Sequence, residues 1–320
     1  MKKILLSVFA MMLAVTSLAQ EKKMLTPMDA SYNNRSVYPA RKNFNWYADT
    51  DKYLFTEGDE LKMQAPAEKS SQTLLTLNQI NIIAENCGIE SFSRIPNITW
   101  LDTNKGYFYK WTKEGTLSFN TLELKEKKIT LITNIPNEAE NHTIEPNTLR
   151  IAYTIGNDLY IADGENHIRV TENPEHVIAG QSVHRNEFAI NGGIFWSPDG
   201  SKLAYYLMDE SMVTDYPLVD ITKRTAEAAP IKYPMAGMTS HIVKLHVYDI
   251  AAGTDVTMQT GEPEDHYLTA ITWNNDNEKV YIGILNRGQD SLSFNEYNAL
   301  NGEFNKVIFH DEDEQYVEPQ

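Results

Sequence analysis

A single cysteine, Cys87, in 320 residues excludes an internal disulfide, so the fold has to rest on packing. A reactive thiol needs a basic neighbour or a helix terminus to lower its pKa. The surroundings of Cys87 in "AENCGIES" are acidic instead, and it reads as structural. Basic residues are scarce as well. Against 44 Asp and Glu stand 28 Lys and Arg, a formal net charge of −16, which leaves no basic stripe to neutralise a phosphate backbone and argues against a nucleic-acid partner. Catalytic signatures are missing too. There is no G-x-S-x-G elbow ("GQSVH" at Gly180 lacks the second glycine), no H-E-x-x-H, no paired C-x-x-C and no phosphate-binding glycine loop. The eight histidines are scattered, and no two stand at a metal-ligand spacing. His241 and His246 flank the start of a strand, and solvated or core histidine is the expectation throughout. The acid run "HDEDE" at 310–314 lacks the alternating ligands of a calcium loop and reads as a solvated connection. No catalytic residue, metal or cofactor is assigned.

Long apolar runs are confined to the N-terminus. Lys2 and Lys3 precede "ILLSVFAMMLAV", and Ser17 and Ala19 supply small residues, so residues 1–19 read as a secretory signal cleaved after Ala19. Residues 20–40 are a lead-in. The mature chain is expected to be exported, to the periplasm or in association with an outer membrane.

What is present is a repeat. Trp46 in "FNWYADTDKYLF", Trp100 in "ITWLDTNKGYFY", Trp196 in "IFWSPDGSKLAYY" and Trp273 in "ITWNNDNEKVYIG" begin similar phrases, and "TIEPNTLRIAYT" has Ile144 in the tryptophan position. Seven residues on stand Tyr53, Tyr107, Ile151, Leu203 and Val280, and nine on Phe55, Tyr109, Tyr153, Tyr205 and Ile282. A spacing of two places each such pair on one face of a strand, and the intervening Asp, Asn, Thr, Gly and Pro are turn formers. Further strand pairs follow in "LYIADGENHIRVTE", "KLHVYDIAAGTDVTMQT" and "SFNEYNALNGEFNKVIF". Four strands per unit, repeated, predict an all-β chain built as a β-propeller of four-stranded antiparallel blades. About five blades are legible over 41–320, and the ring is expected to be incomplete. The polar, proline-punctuated stretch "MDESMVTDYPLVDITKRTAEAAPIKYPMAGMTSH" reads as a long excursion between strands. "SQTLLTLNQINIIAEN" is the one short helix that the periodicity suggests.

Glu187, with Arg185 and Asn186 before it, stands just ahead of the most regular of these phrases. From pattern alone it is either a solvated loop residue or a carboxylate aimed at a cation. "VHRNEF", "FWSPDGSKLAYYLMDESMVTDYP", "KYPMAGMTSHIVKLHVYD" and "MQTGEPEDHYLTAITW" resemble the dipeptidyl peptidase IV and prolyl tripeptidyl peptidase family of the prolyl oligopeptidase clan. The resemblance covers most of residues 40–320. It implies the N-terminal propeller of an exported serine exopeptidase that releases di- or tripeptides after Pro or Ala, with eight blades capping an α/β-hydrolase domain. It also implies that a propeller glutamate binds the free α-amino group of the peptide substrate. That role falls on Glu187, with Arg185 and Asn186 as neighbours. The family typically has two adjacent glutamates here, and this sequence has Asn186 before its single Glu187, which leaves dipeptide against tripeptide release open. No Ser-Asp-His triad is found in these 320 residues, so the chain by itself is expected to be inactive and its partner to be the missing α/β-hydrolase domain. Homodimerisation of the full-length form stays open. The alternative is a free-standing periplasmic binding propeller of the TolB-like kind.

Overall fold

The computed structural model describes residues 26–29 and 43–319. The expected signal (1–19), and the lead-in (20–40) except for 26–29, lie outside the described residues. Two compact units, Met1–Thr76 and Leu77–Gln320, divide the chain. The first holds blade 1, an antiparallel sheet of β1 (Asn45–Trp46), β2 (Tyr53–Glu57), β3 (Glu60–Gln64) and β4 (Gln72–Thr76) in sequence order.

The second unit opens on helix α1 (Leu77–Asn86), which buries Ile80, Ile83 and Ala84 at helical spacing. The helix is shorter than its sequence pattern, because residues 72–76 pair with β3 as β4 instead. Just beyond it, Cys87 Sγ accepts the backbone N–H of Ile129 at 3.3 Å, which suits the structural role expected of it. Blade 2 comprises β5 (Thr99–Trp100), β6 (Lys105–Trp111), β7 (Leu117–Glu123) and β8 (Lys128–Ile135). Blade 3 comprises β9 (Glu140–Ile144), β10 (Ile151–Ile155), β11 (Asp158–Asp163) and β12 (Asn166–Arg169). Blade 4 has its first strand in two pieces, β13 (Val177–Ala179) and β14 (Ile194–Trp196), both paired with β15 (Lys202–Asp209). The long excursion follows as an arm of two nested antiparallel ribbons. β16 (Asp215–Tyr216), β17 (Val219–Asp220), β18 (Glu227–Ala228) and β19 (Ile231–Lys232) pair as β16 with β19 and β17 with β18. β20 (Ile242–Asp249) and β21 (Thr254–Thr257) complete the blade. Blade 5 is β22 (Tyr267–Trp273), β23 (Lys279–Leu285), β24 (Ser291–Asn298) and β25 (Phe304–Glu312). The acid run does not start as a connection: His310, Asp311 and Glu312 belong to β25, where His310 Nδ1 lies 3.0 Å from Ser293 Oγ.

The chain is thus all-β, a β-propeller of four-stranded antiparallel blades. Five blades are present among the described residues, and no sheet closes on itself. The turn after each anchor in the second unit is closed by the side chains the sequence supplies. Asp102 Oδ1 accepts the backbone N–H of Asn104 and Lys105 at 2.6 and 2.7 Å. Buried Glu145 accepts those of Asn147 and Thr148. Ser197 Oγ accepts Lys202 N–H at 2.9 Å and Asn274 Oδ1 that of Lys279 at 3.0 Å. Such local bonds explain why Asp, Asn, Ser and Glu fill these turns.

Period-two alternation then sorts side chains between neighbouring blades. Ile151 and Tyr153 pack back against Leu117, Phe119 and Ile135 of blade 2. Leu203 and Tyr205 pack back against Leu159 and Ile161 of blade 3, while Ala204 and Tyr206 face forward onto Leu268, Val280 and Ile282 of blade 5. Complete burial of a residue such as Leu159 or Leu203 contributes roughly 1.5–3 kcal/mol. The anchors stitch the same seams. Trp196 donates its indole N–H to the Thr143 carbonyl at 3.4 Å and Trp273 to that of Phe195 at 3.0 Å. In each case the acceptor stands one residue before the preceding anchor.

Blade 2 corrects the sequence alignment by one residue. Trp46, Ile144, Trp196 and Trp273 lie opposite the residue seven positions on, but Trp100 lies opposite Gly106. Gly106 and Phe108 are therefore the inward residues of β6, and Tyr109 is half exposed. A Cβ on Gly106 would come within 2.6 Å of Ile98 Cγ2, so the position against Trp100 has room only for glycine. A one-residue slip turns every side chain over, and no feature of "LDTNKGYFY" announces the shorter turn.

Candidate functional site

The first strand of blade 4 is interrupted at one place. The backbone N–H of Gly180 donates to the Tyr206 carbonyl at 2.8 Å, and Tyr206 N–H donates to the Gly193 carbonyl at 3.0 Å. Residues 181–192 are thereby looped out while the strand resumes pairing on either side of Tyr206. The neck of this loop requires glycine. A Cβ on Gly193 would stand 2.0 Å from the Gln181 carbonyl oxygen, and Gly180 has φ +70°.

Inside the loop the backbone turns left-handed. His184, Arg185 and Asn186 have φ of 50, 55 and 61°, and Phe188 and Ala189 have φ of 55 and 60°. Left-handed helical backbone costs L-residues roughly 1–2 kcal/mol each and persists only where the surroundings hold it. Asn186 N–H donates to Val183 O and Glu187 N–H to His184 O, both at 3.1 Å, and Ile190 N–H closes on Glu187 O at 3.1 Å. Ser182 Oγ bonds Asn186 Oδ1.

Side chains fasten the turn on two sides. His184 is buried, with Nδ1 2.8 Å from His241 Nε2 and its ring edge-on to Tyr267 at 4.8 Å. Arg185 lays its guanidinium 4.3 Å over the Tyr233 ring and donates from Nη2 to the Lys232 carbonyl at 3.0 Å. On the far side Phe188 packs on Tyr267 at 4.6 Å, within the cluster of Leu285, Leu292 and Val317. Tyr267 in turn accepts from Arg287 through its hydroxyl. Burial, then the neighbouring His241, Arg287 and His266, pushes His184 down to about 3. Burial followed by Arg287 and Arg185 pushes His241 down to about 4. Both imidazoles are neutral at pH 7, and their shared hydrogen bond needs one N–H and one lone pair.

Glu187 sits between these two sets of anchors. Its backbone is extended (φ −73°, ψ 167°), its side chain is exposed, and its carboxylate has no hydrogen-bond or ion-pair partner among the described residues. Arg185 and Asn186 adjoin it in sequence but are engaged elsewhere, one on the arm and one on Ser182. The arrangement holds a free carboxylate at the tip of a strained, doubly anchored loop. Such a group can accept charge-assisted hydrogen bonds from a cation.

The structure brings together what the sequence scatters. His184 and His241 touch, although the sequence offers no spacing that joins them. The expectation of core histidine fits buried His184 and His266. The two glycines beside a strand pattern, Gly192 and Gly193, are the sequence signal that could have revealed the loop's neck. Among the described residues no group of three or more His, Cys, Asp or Glu is placed to hold a metal ion.

Known proteins resemble this chain as follows. Residues 100–320 match the family model described as the dipeptidyl peptidase IV (DPP IV) N-terminal region. Dipeptidyl peptidase 4 of Felis catus is 25% identical over 289 residues, covering 82% of this chain and 36% of its own length. That of Bos taurus is 23% identical, covering 90% and 41%. A crystal structure from Bacteroides ovatus, described as a dipeptidyl aminopeptidase IV, superposes with a TM-score of 0.76 at 37% identity, over 87% of this chain and 38% of that one. The dipeptidyl peptidase 4 of Porphyromonas gingivalis shares the fold, with a TM-score of 0.69 at 18% identity. The chain thus spans about two fifths of the length of these relatives. With the five blades and the match over 100–320, the chain belongs to the dipeptidyl peptidase IV family, as its N-terminal region.

Proposed function

We propose that this chain is the substrate-gating propeller region of an exported serine exopeptidase, one that releases N-terminal di- or tripeptides after Pro or Ala. Glu187 binds the free α-amino group of the peptide. An exopeptidase has to measure distance from an amino terminus. A carboxylate fixed at one end of the site pairs with the ammonium and sets which peptide bond reaches the nucleophile. The nucleophile, base and acid belong to an α/β-hydrolase domain outside these 320 residues. The periplasm, or association with an outer membrane, is the proposed location, from the N-terminal sequence.

One observation carries this reading: Glu187 is exposed and unpartnered among the described residues, at the tip of a loop whose left-handed backbone is held from two sides. A merely solvated acid needs no such support. The test is Glu187→Gln in the full-length protein, on alanyl-proline and three-residue proline chromogenic substrates. Removing one charge from a partly desolvated pair costs about 2–5 kcal/mol, so kcat/KM should fall about 30-fold to several-thousand-fold. The wild-type rate should also decline as the substrate amine deprotonates, near about 7.7–8.0. Near-normal activity with an unchanged pH profile would make Glu187 an ordinary surface acid.

A further inference from the structure

The contacts of Arg185 point away from the proposed substrate and towards the arm. Its guanidinium stacks on Tyr233 and donates to the Lys232 carbonyl, two residues on the arm's return path. Lys232 is itself held by Val213 O at 3.0 Å and Asp215 at 3.1 Å, on the outgoing path. Tyr216, on that same path, rests on the Tyr233 ring at 5.7 Å. The arm's foot is the other point of contact, through His241 against His184. The residue immediately before Glu187's neighbour Asn186 is thus bolted to a paired ribbon, and the residue before that to the ribbon's foot. Neither side chain is free to take substrate while so engaged.

We propose that Arg185 is a positioning residue: through Tyr233 and the Lys232 carbonyl it makes the arm a splint for the left-handed turn, and so fixes the pose of Glu187. This rests on the amino-terminus reading for its consequence in catalysis, but the mechanical coupling is measurable without substrate. A planar guanidinium is needed, because it stacks and donates at once, whereas an ammonium supplies only a point charge. The arm, remote in sequence, then sets how well the loop is ordered before a peptide arrives. Preorganisation of that kind acts on binding more than on the chemical step.

The test combines hydrogen exchange and kinetics on the full-length protein for Arg185→Ala, Arg185→Lys, Tyr233→Ala, Tyr233→Phe and the Arg185→Ala/Tyr233→Ala pair. Tyr233 lies in the arm outside the loop, so its variants leave the loop's own sequence intact. Arg185→Ala and Tyr233→Ala should each speed exchange of the Asn186, Glu187 and Ile190 amides and raise KM about tenfold with kcat nearly unchanged. Arg185→Lys should resemble Arg185→Ala, and Tyr233→Phe should restore wild-type behaviour. The double variant should be no worse than Arg185→Ala alone, because that substitution already removes both the stacking on Tyr233 and the bond to the Lys232 carbonyl. Wild-type exchange in both alanine variants, or effects that add in the double variant, would overturn the proposal. Glu187→Gln in the same assays separates the two ideas. If it leaves KM and kcat unchanged while Arg185→Ala still loosens the loop, the splint stands and the amino-terminus reading falls.

Discussion

Blades 3, 4 and 5 break their first strands at the same place, and only blade 4 makes a loop of the break. In blade 3 the pairing jumps from Thr143↔Ala152 to Glu140↔Thr154, leaving Asn141 and His142 as a bulge. In blade 5 it jumps from Thr272↔Tyr281 to Thr269↔Gly283, leaving Ala270 and Ile271. Each bulge begins with a left-handed residue, Asn141 at φ 51° and Ala270 at φ 50°. In blade 4 residues 181–192 are looped out at the equivalent place, between Gly180 and Gly193. The candidate site thus occupies an enlarged form of a bulge that the neighbouring blades also carry. The sheet on either side need not change, because Tyr206 pairs with both ends of the loop.

The difference can be broken first at the neck. Gly193→Ala places a Cβ against the Gln181 carbonyl, with no flexible side chain to yield. A loss of about 3 kcal/mol or more is expected in urea unfolding, and a change under about 0.5 kcal/mol would mean that the neck is not closed. Acid comes next. His184 and His241 are held at about 3 and about 4, below the ordinary histidine value, so the unfolded chain binds more protons between those values and about 6.5. Their contribution is intact above about 6.5 and is lost as pH falls towards about 4 and then about 3. The slope is at most about 1.4 kcal/mol per pH unit for each proton. His241→Gln should flatten the pH dependence of stability in that window, and an unchanged slope would remove the pair from the account of acid sensitivity.

Smaller effects separate the strand from its interruption. The buried hydroxyl of Tyr206 donates to the Leu268 carbonyl at 2.8 Å across the seam between blades 4 and 5. Tyr206→Phe should cost about 1 kcal/mol in thermal or urea unfolding. In blade 3, Asn141→Gly relieves a left-handed residue and loses a 2.9 Å bond to Thr154 Oγ1. These offset, and a shift within about 0.5 kcal/mol is expected. A large loss there would show that the small bulges are as demanding as the large one.

The repeat itself was legible because its signal is local. Tryptophan anchors, turn formers and alternation together fix strand, turn and strand, and all five anchors fall in first strands. The alignment failed in blade 2, where a shorter turn moves the register and "GYFY" reads equally well on either face. Glu187 could be marked by resemblance but not by pattern. What distinguishes it from other surface acids is the left-handed turn beneath it, and that turn is imposed by Tyr233, His241 and Tyr267, residues distant in sequence. Periodicity carries no information about partners that far away.

The most direct measurement of the role of Glu187 is an amide chemical-shift titration of the isotopically labelled chain with alanyl-prolyl-alanine and with its N-acetylated form. The expected result is that the free-amine peptide moves the Glu187 and Phe188 resonances, the acetylated peptide does not, and Glu187→Gln abolishes the response. Equal responses to the two peptides, or an undiminished response in Glu187→Gln, would contradict it.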